Sequence, residues 1–433
     1  MNRREFLAAG SALAAAAWGR PGLSFEPGKK KPVKFEKIEA KVPVLQVTPE
    51  DGYYVHSYYD VCPFSPSGRY LAATRIPYQD RIPVIGDRAD VCLIDLQDRT
   101  IQTVYTTKCW GFQTGSNAQW GATDRHLYTN DVFDGKAVCV RLDLDKGTTT
   151  HFDGPMYHIA PDESAVVGFP LELLDVTQRG YGVPPKDPDD PKKLPVGASK
   201  TEGLWRTDLN SGKTNLLVSL ADVAAKVPEP APEKGGTYYF WHSKFNRQGT
   251  RIMQVLRCLL PSGAGDVNTM VFSFKPDGSD IRYAPGVPIW GAKGGHPNWH
   301  PDGVHLIRVL RLDGKTPRLC QFRYDGTEAK SLSDKILGGG HPTFDKAGKW
   351  IVTDTFHEDP HRVSILMIDM QAERETAVCT LPTLQRGEKL EYQAHRLDGH
   401  PAWDRDTKSV CFQAAPKGAR QLFIADMSGF MKS

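Results

Sequence analysis

A seven-bladed β-propeller, an all-β fold, is predicted from three observations: a turn-and-strand unit that recurs seven times, a wealth of turn-forming residues, and little helical periodicity. The 433-residue chain carries 40 glycines and 32 prolines, which favours many short strands joined by tight turns. A helical pattern is expected only near Leu220 to Lys226. Hydrophobic residues reach 40%, ample for the core of one large all-β array.

The recurring unit is an apolar residue, a Pro-Asp-Gly-like turn and an apolar strand. It reads first as Pro63-Phe64-Ser65-Pro66-Ser67-Gly68, then as Gln119-Trp120-Gly121-Ala122-Thr123-Asp124, Ile159-Ala160-Pro161-Asp162-Glu163 and Lys244-Phe245-Asn246-Arg247-Gln248-Gly249. Asn298-Trp299-His300-Pro301-Asp302-Gly303, Thr343-Phe344-Asp345-Lys346-Ala347-Gly348 and Ala402-Trp403-Asp404-Arg405-Asp406 complete the set. Most units continue into a second strand that ends in aspartate, such as Leu93-Ile94-Asp95 or Met367-Ile368-Asp369. Short strands in register fit four-stranded blades arranged radially, which leave only short protected edges. The propeller is expected over residues 51–430, preceded by a leader over 1–30 and a linker over 31–50. The third unit holds an insertion, Gly180-Tyr181-Gly182-Val183-Pro184-Pro185 and the charged run Lys186 to Lys193, expected as a surface loop.

Arg3-Arg4, followed by Phe6-Leu7 and an alanine-rich stretch, reads as a leader too short and small-sided to anchor in a bilayer. The adjacent arginines resemble a twin-arginine signal, with a general-secretion leader as the alternative. Either implies export to the periplasm or beyond, and no membrane anchor in the mature protein. The eight cysteines are scattered, several within apolar runs such as Val91-Cys92-Leu93-Ile94, and are expected mostly as buried small hydrophobes. With 54 basic and 51 acidic residues the net charge is +3, so no global field points to nucleic acid.

Aligning the units on the turn defines a position three residues before the aromatic. It reads Val61, Asn117, Met156, His242, His296, His341 and His400. Four of the chain's 13 histidines thus fall at one register in four successive units. Strand parity separates the histidine from the aromatic by face, which frees the imidazole for the central channel. Imidazole is the commonest ligand of borderline transition metals; the alternative is a turn cap held by a backbone hydrogen bond. The last unit adds Gln393, His395, Arg396 and Asp398, polar groups able to complete or orient a coordination shell. Arg257 ends an apolar strand in the same unit as His242, where a cation can neutralise a carboxylate. Tyr181 sits between two glycines, where a phenol can donate a proton.

The His-Pro, aromatic, Pro-Asp-Gly pattern, with Gly340-His341-Pro342-Thr343-Phe344, Lys349 to Thr355 and Arg396-Leu397-Asp398-Gly399-His400-Pro401, resembles the TolB-type propellers that include oligogalacturonate lyases and, further, the propeller ulvan lyases. The resemblance covers roughly residues 50 to 430. It implies a divalent metal, manganese or zinc, and an acidic, uronate-containing oligo- or polysaccharide as substrate. His400 matches the final-blade histidine of the oligogalacturonate lyase set of three histidines and a glutamine, whereas Asp398 and His395 stand where a histidine and a glutamine are expected. Arg257, Tyr181 and His242 match the charge-neutralising and proton-transferring groups of ulvan lyases, although the catalytic histidines of that group have no clear counterpart near Asn117 to His126. The expected metal ligands are therefore His296, His341, His395, Asp398 and His400; the expected catalytic residues are Arg257, Tyr181 and His242; and Asn117, Arg396 and Gln393 are expected to bind substrate. β-Elimination of a 4-linked uronate fits these groups: charge neutralisation acidifies the C5 proton, a base removes it, and an acid assists departure at O4. The competing expectation is a non-catalytic periplasmic propeller that binds a protein or glycan. A prolyl-oligopeptidase-like reading fails because no Gly-x-Ser-x-Gly elbow is present.

Overall fold

The computed structural model describes residues 20–178, 180–183, 195–227, 235–261, 266–284, 295–336, 339–356, 361–384 and 395–432. Seven antiparallel sheets follow one another along the chain, and each aspartate or Pro-Asp-Gly turn of the repeat joins neighbouring strands of one sheet. The first strands of blades 2 to 7 are Gln119–Trp120, His158–Ile159, Thr237–Phe245, Asn298–Trp299, Thr343–Phe344 and Ala402–Trp403. Residues from these strands, with Val61 and Cys62 of blade 1, surround a single cavity of about 510 Å³. The first strands are thus the innermost, and the cavity lies on the propeller axis.

Blade 7 is built from both ends of the described chain. Outside Ala402–Trp403, Ser409–Ala414 and Gln421–Asp426 it adds Val44–Gln46 and Glu36–Ile38, with Phe423 paired to Gln46 and Ala425 to Val44. Lys31–Pro32 extends blade 1 along Thr100–Thr107, and Arg20–Ser24 extends blade 2 along Thr148–His151. The linker expected over 31–50 is therefore corrected: the ring needs an outer strand for its last blade, and this segment supplies it. Arg20–Ser24, inside the segment expected as a leader, also lies in a sheet.

The aromatic of the repeat ties blades together. Trp120 Nε1 donates to Pro63 O at 2.9 Å, Trp299 Nε1 to Lys244 O at 3.0 Å and Trp403 Nε1 to Thr343 O at 3.1 Å, each reaching the preceding blade. All eight cysteines are free and seven are buried, as expected. The helix expected near Leu220 is Leu220–Ala224, capped by a reciprocal Ser219–Asp222 pair. A second helix, Leu171–Thr177, was not expected; it buries Leu171 and Leu174 against the core around Trp241. The insertion of the third unit is also corrected where it is described: Gly180 to Val183 is buried, because Tyr181 and Val183 join that core, while Lys186 to Lys193 lie outside the described residues.

Polar staples bind blades 2 and 3 at the turns. Glu163 accepts from His126 Nδ1 at 2.6 Å, from Tyr128 OH at 2.6 Å and from Ala122 N at 2.8 Å. Burial alone pushes its pKa up, but these donors outweigh burial and hold it down at about 2, against an ordinary 4.5. A carboxyl depressed in the folded state adds stability above its unfolded pKa and loses it as pH falls toward the folded value. Glu163→Gln should therefore cost about 2 kcal/mol at about pH 7. The difference from wild type should shrink toward zero at about pH 2, measured by denaturant unfolding at several pH values.

Candidate metal centre on the propeller axis

The register position of the repeat has an unusual backbone. Asn117, His242, His296 and His400 have φ of 57°, 53°, 53° and 44°, and in blade 6 the kink moves one residue earlier, to Gly340 at 59°. A residue in the left-handed region reverses the alternation of an extended strand. The turn carries the imidazole away from the blade and onto the axis, where the histidines of four successive blades meet. Ring centroids of His296 and His341 are 3.9 Å apart, those of His341 and His400 4.3 Å, and those of His242 and His296 6.1 Å.

Each imidazole is held through Nδ1. His296 donates to Gly340 O at 2.8 Å, His242 shares a 3.2 Å hydrogen bond with Tyr157 OH, and His341 donates to Asp354 at 2.8 Å. The Gln413 amide lies 3.3 Å from His400 Nδ1. The contact is made by its Nε2, which donates to the ring nitrogen. The Nε2 atoms of His242, His341 and His400 are buried and unpartnered. His341, His400 and Asp398 offer ligand atoms all within 4.8 Å of one another. Buried, unpaired lone pairs beside a carboxylate are a donor set that fits a divalent ion of the zinc or manganese type. Burial, reinforced by neighbouring cations and imidazoles, keeps His242, His296 and His400 well below the ordinary histidine pKa, so all three are neutral.

The remaining expected residues divide into two groups. Arg396 bonds Asp398 through Nε at 2.9 and 3.1 Å and donates to Tyr181 OH at 2.6 Å, so all three form one chain beside His400. Burial holds the Tyr181 phenol above its ordinary pKa. Arg257, on strand Ile252–Leu259 opposite Tyr239, lies near enough to lower the protonation of His242 and His296 by its charge. The His395 ring stands edge-on to Phe112 at 5.2 Å, outside the His341–Asp398–His400 group. The Asn117 amide donates to Met156 O and Tyr157 O and accepts from Gln119 Nε2. Gln393 lies outside the described residues.

Blade 1 supplies what the register missed. Its strand Tyr53–Val55 breaks before Phe64, and the residues between drop His56, Tyr58, Tyr59 and Asp60 into the channel. Tyr58 stacks on His242 and meets His341 and His400 edge-on at 5.7 and 4.5 Å; Tyr59 packs on His341 at 5.1 Å. On the side away from the histidines, Asp60 pairs with Lys244 Nζ at 2.5 Å, and Lys244 also donates to Tyr59 OH and Pro297 O. Tyr59, Asp60 and Lys244 line the 510 Å³ cavity, which the four histidines do not reach.

No family model matches the chain, and no curated protein matches it. Among solved structures, an oligogalacturonate lyase in complex with manganese superposes with a TM-score of 0.64 at 17% identity, over 93% of this chain and 98% of that one. The oligogalacturonate lyase of Vibrio parahaemolyticus gives 0.64 at 15% identity over 92% and 98%. The chain shares the oligogalacturonate lyase fold. A TolB from Acinetobacter baumannii follows at 0.42, with 13% identity over 83% and 78%.

The Asp60–Lys244 pair is 2% exposed on both sides. Removing one partner strands a buried charge, so Lys244→Met should destabilise by about 3 to 5 kcal/mol. Adding Asp60→Asn should restore part of the loss in a double-mutant cycle, read by thermal and denaturant unfolding.

Proposed function

We propose that the chain is a polysaccharide lyase that cleaves an acidic, uronate-containing glycan by β-elimination. The observation that carries this reading is the group of buried, unpartnered imidazole nitrogens beside Asp398, set on the axis of a fold shared with oligogalacturonate lyases. His341, His400 and Asp398, with His296 alongside, would hold the ion. A bound manganese or zinc would supply positive charge that acidifies the proton next to a uronate carboxylate.

The chain's own groups divide the remaining work. Arg257 brings a second positive charge toward the same side of the ring of histidines, suited to a carboxylate. His242 is neutral, with a free Nε2, and is the better base; Tyr181 keeps its proton and is the better acid for the departing O4. Arg396 orients both Tyr181 and Asp398. The Arg3-Arg4 leader supports action in the periplasm or outside the cell.

Purified protein supplied with manganese or zinc should release unsaturated uronate, seen as rising ultraviolet absorbance, from oligogalacturonate, ulvan or a related acidic polysaccharide. His341→Ala or His400→Ala should lower that rate by at least about a hundredfold. Absence of product from every acidic polysaccharide tried, with metal present, would overturn the reading. Binding of the glycan without cleavage would identify a non-catalytic propeller instead.

A further inference from the structure

Two glycine–histidine pairs, Gly340-His341 and Gly399-His400, converge on one carboxylate. Asp354 lies on strand Trp350–Phe356 of blade 6 and is 1% exposed. Its Oδ1 accepts from His341 N at 3.0 Å and from His341 Nδ1 at 2.8 Å, while Oδ2 lies 3.0 Å from the same Nδ1 and accepts from His400 N at 3.0 Å. Both glycines are clearances for this group. A Cβ on Gly340 would overlap the main-chain oxygen of Asp354, and one on Gly399 would press its Cβ and Oδ2 at 3.1 and 3.2 Å.

We infer that Asp354 is the positioning residue of the axial centre, fixing the tautomer of His341 and the spacing between the histidines of blades 6 and 7. Three N–H groups point at a group that can only accept, so the contact requires the His341 proton on Nδ1. The lone pair is then on Nε2, the buried atom left without a partner. A carboxylate that orients an imidazole in this way commonly changes metal affinity about ten- to a hundredfold when it is removed. The same carboxylate holds the backbone N–H of His400, so one side chain sets where two ligands stand.

The inference takes its metal from the proposed function, and the test separates the two. In metal-free wild-type protein, nitrogen-15 imidazole spectra should show His341 protonated at Nδ1; a proton on Nε2 would overturn the inference, whatever the protein binds. Asp354→Asn keeps the size of the side chain, but its amide can accept at only one of its two ends, so either His341 or the His400 N–H loses its acceptor. Manganese and zinc affinity, measured by calorimetry without substrate, should fall about ten- to a hundredfold, with the far-ultraviolet spectrum unchanged. A variant that binds either ion within about threefold of wild type would overturn the inference. Wild-type protein that takes up neither ion would overturn the metal-centre reading alone, and the tautomer would still decide the role of Asp354.

Discussion

The pairing of Val44–Gln46 with Gln421–Asp426 is the constraint on which the axis depends. A propeller has a central channel only when its ring closes, and closure here joins strands far apart in the chain. Such long-range pairing is entropically expensive and is stabilised by polar locks at the seam. Thr48 Oγ1 donates to Gln421 at 2.5 Å, Tyr54 N donates to Arg420 O at 2.9 Å, and Gln421 Nε2 donates to Gly52 O at 3.0 Å. Arg420 extends the seam inward. Fully buried, with its pKa pulled down to about 9 by desolvation, it donates to Phe112 O, His395 O and Arg396 O. The same residue thus joins the closing blade, blade 1 and the segment that leads into Asp398 and His400.

Within the closed ring, the left-handed residues convert a structural repeat into a site. Such a conformation at a non-glycine residue costs about 1 to 3 kcal/mol unless its surroundings hold it. The polar groups on the second strands do the holding: Asp354 stands 13 residues after His341, Gln413 stands 13 after His400, and Asn130, at the matching place in blade 2, bonds Met156. Kink, imidazole and support form one unit, and blades 6 and 7 carry its fullest versions.

The fold was legible because turn chemistry repeats with the blades, and the histidine register was legible because it lies at a fixed distance from the turn. The contribution of blade 1 was not. Its register residue is Val61, which packs in the core, and the break between Val55 and Phe64 places His56 and Tyr58-Tyr59-Asp60 out of phase with the other units. Alternation along a strand pointed to the axis, but it is the kink that carries the imidazoles there, and its one local signal is that histidine and asparagine are among the residues enriched at positive φ. Asp354 could have been found as a lone carboxylate inside an otherwise apolar strand, spaced from His341 as Gln413 is from His400. The segment over 31–50 read as a linker because single strands two or three residues long carry too little pattern to register.

The tyrosines of blade 1 have a topological effect on traffic. Tyr58 and Tyr59, each 1% exposed, lie across the axis with the Asp60–Lys244 pair beneath, so the hole through the ring is stoppered midway. The imidazoles and the 510 Å³ cavity are thereby held apart, on opposite sides of a packed aromatic layer. Whatever enters that cavity meets Tyr59 and the Asp60–Lys244 pair rather than the four axial histidines.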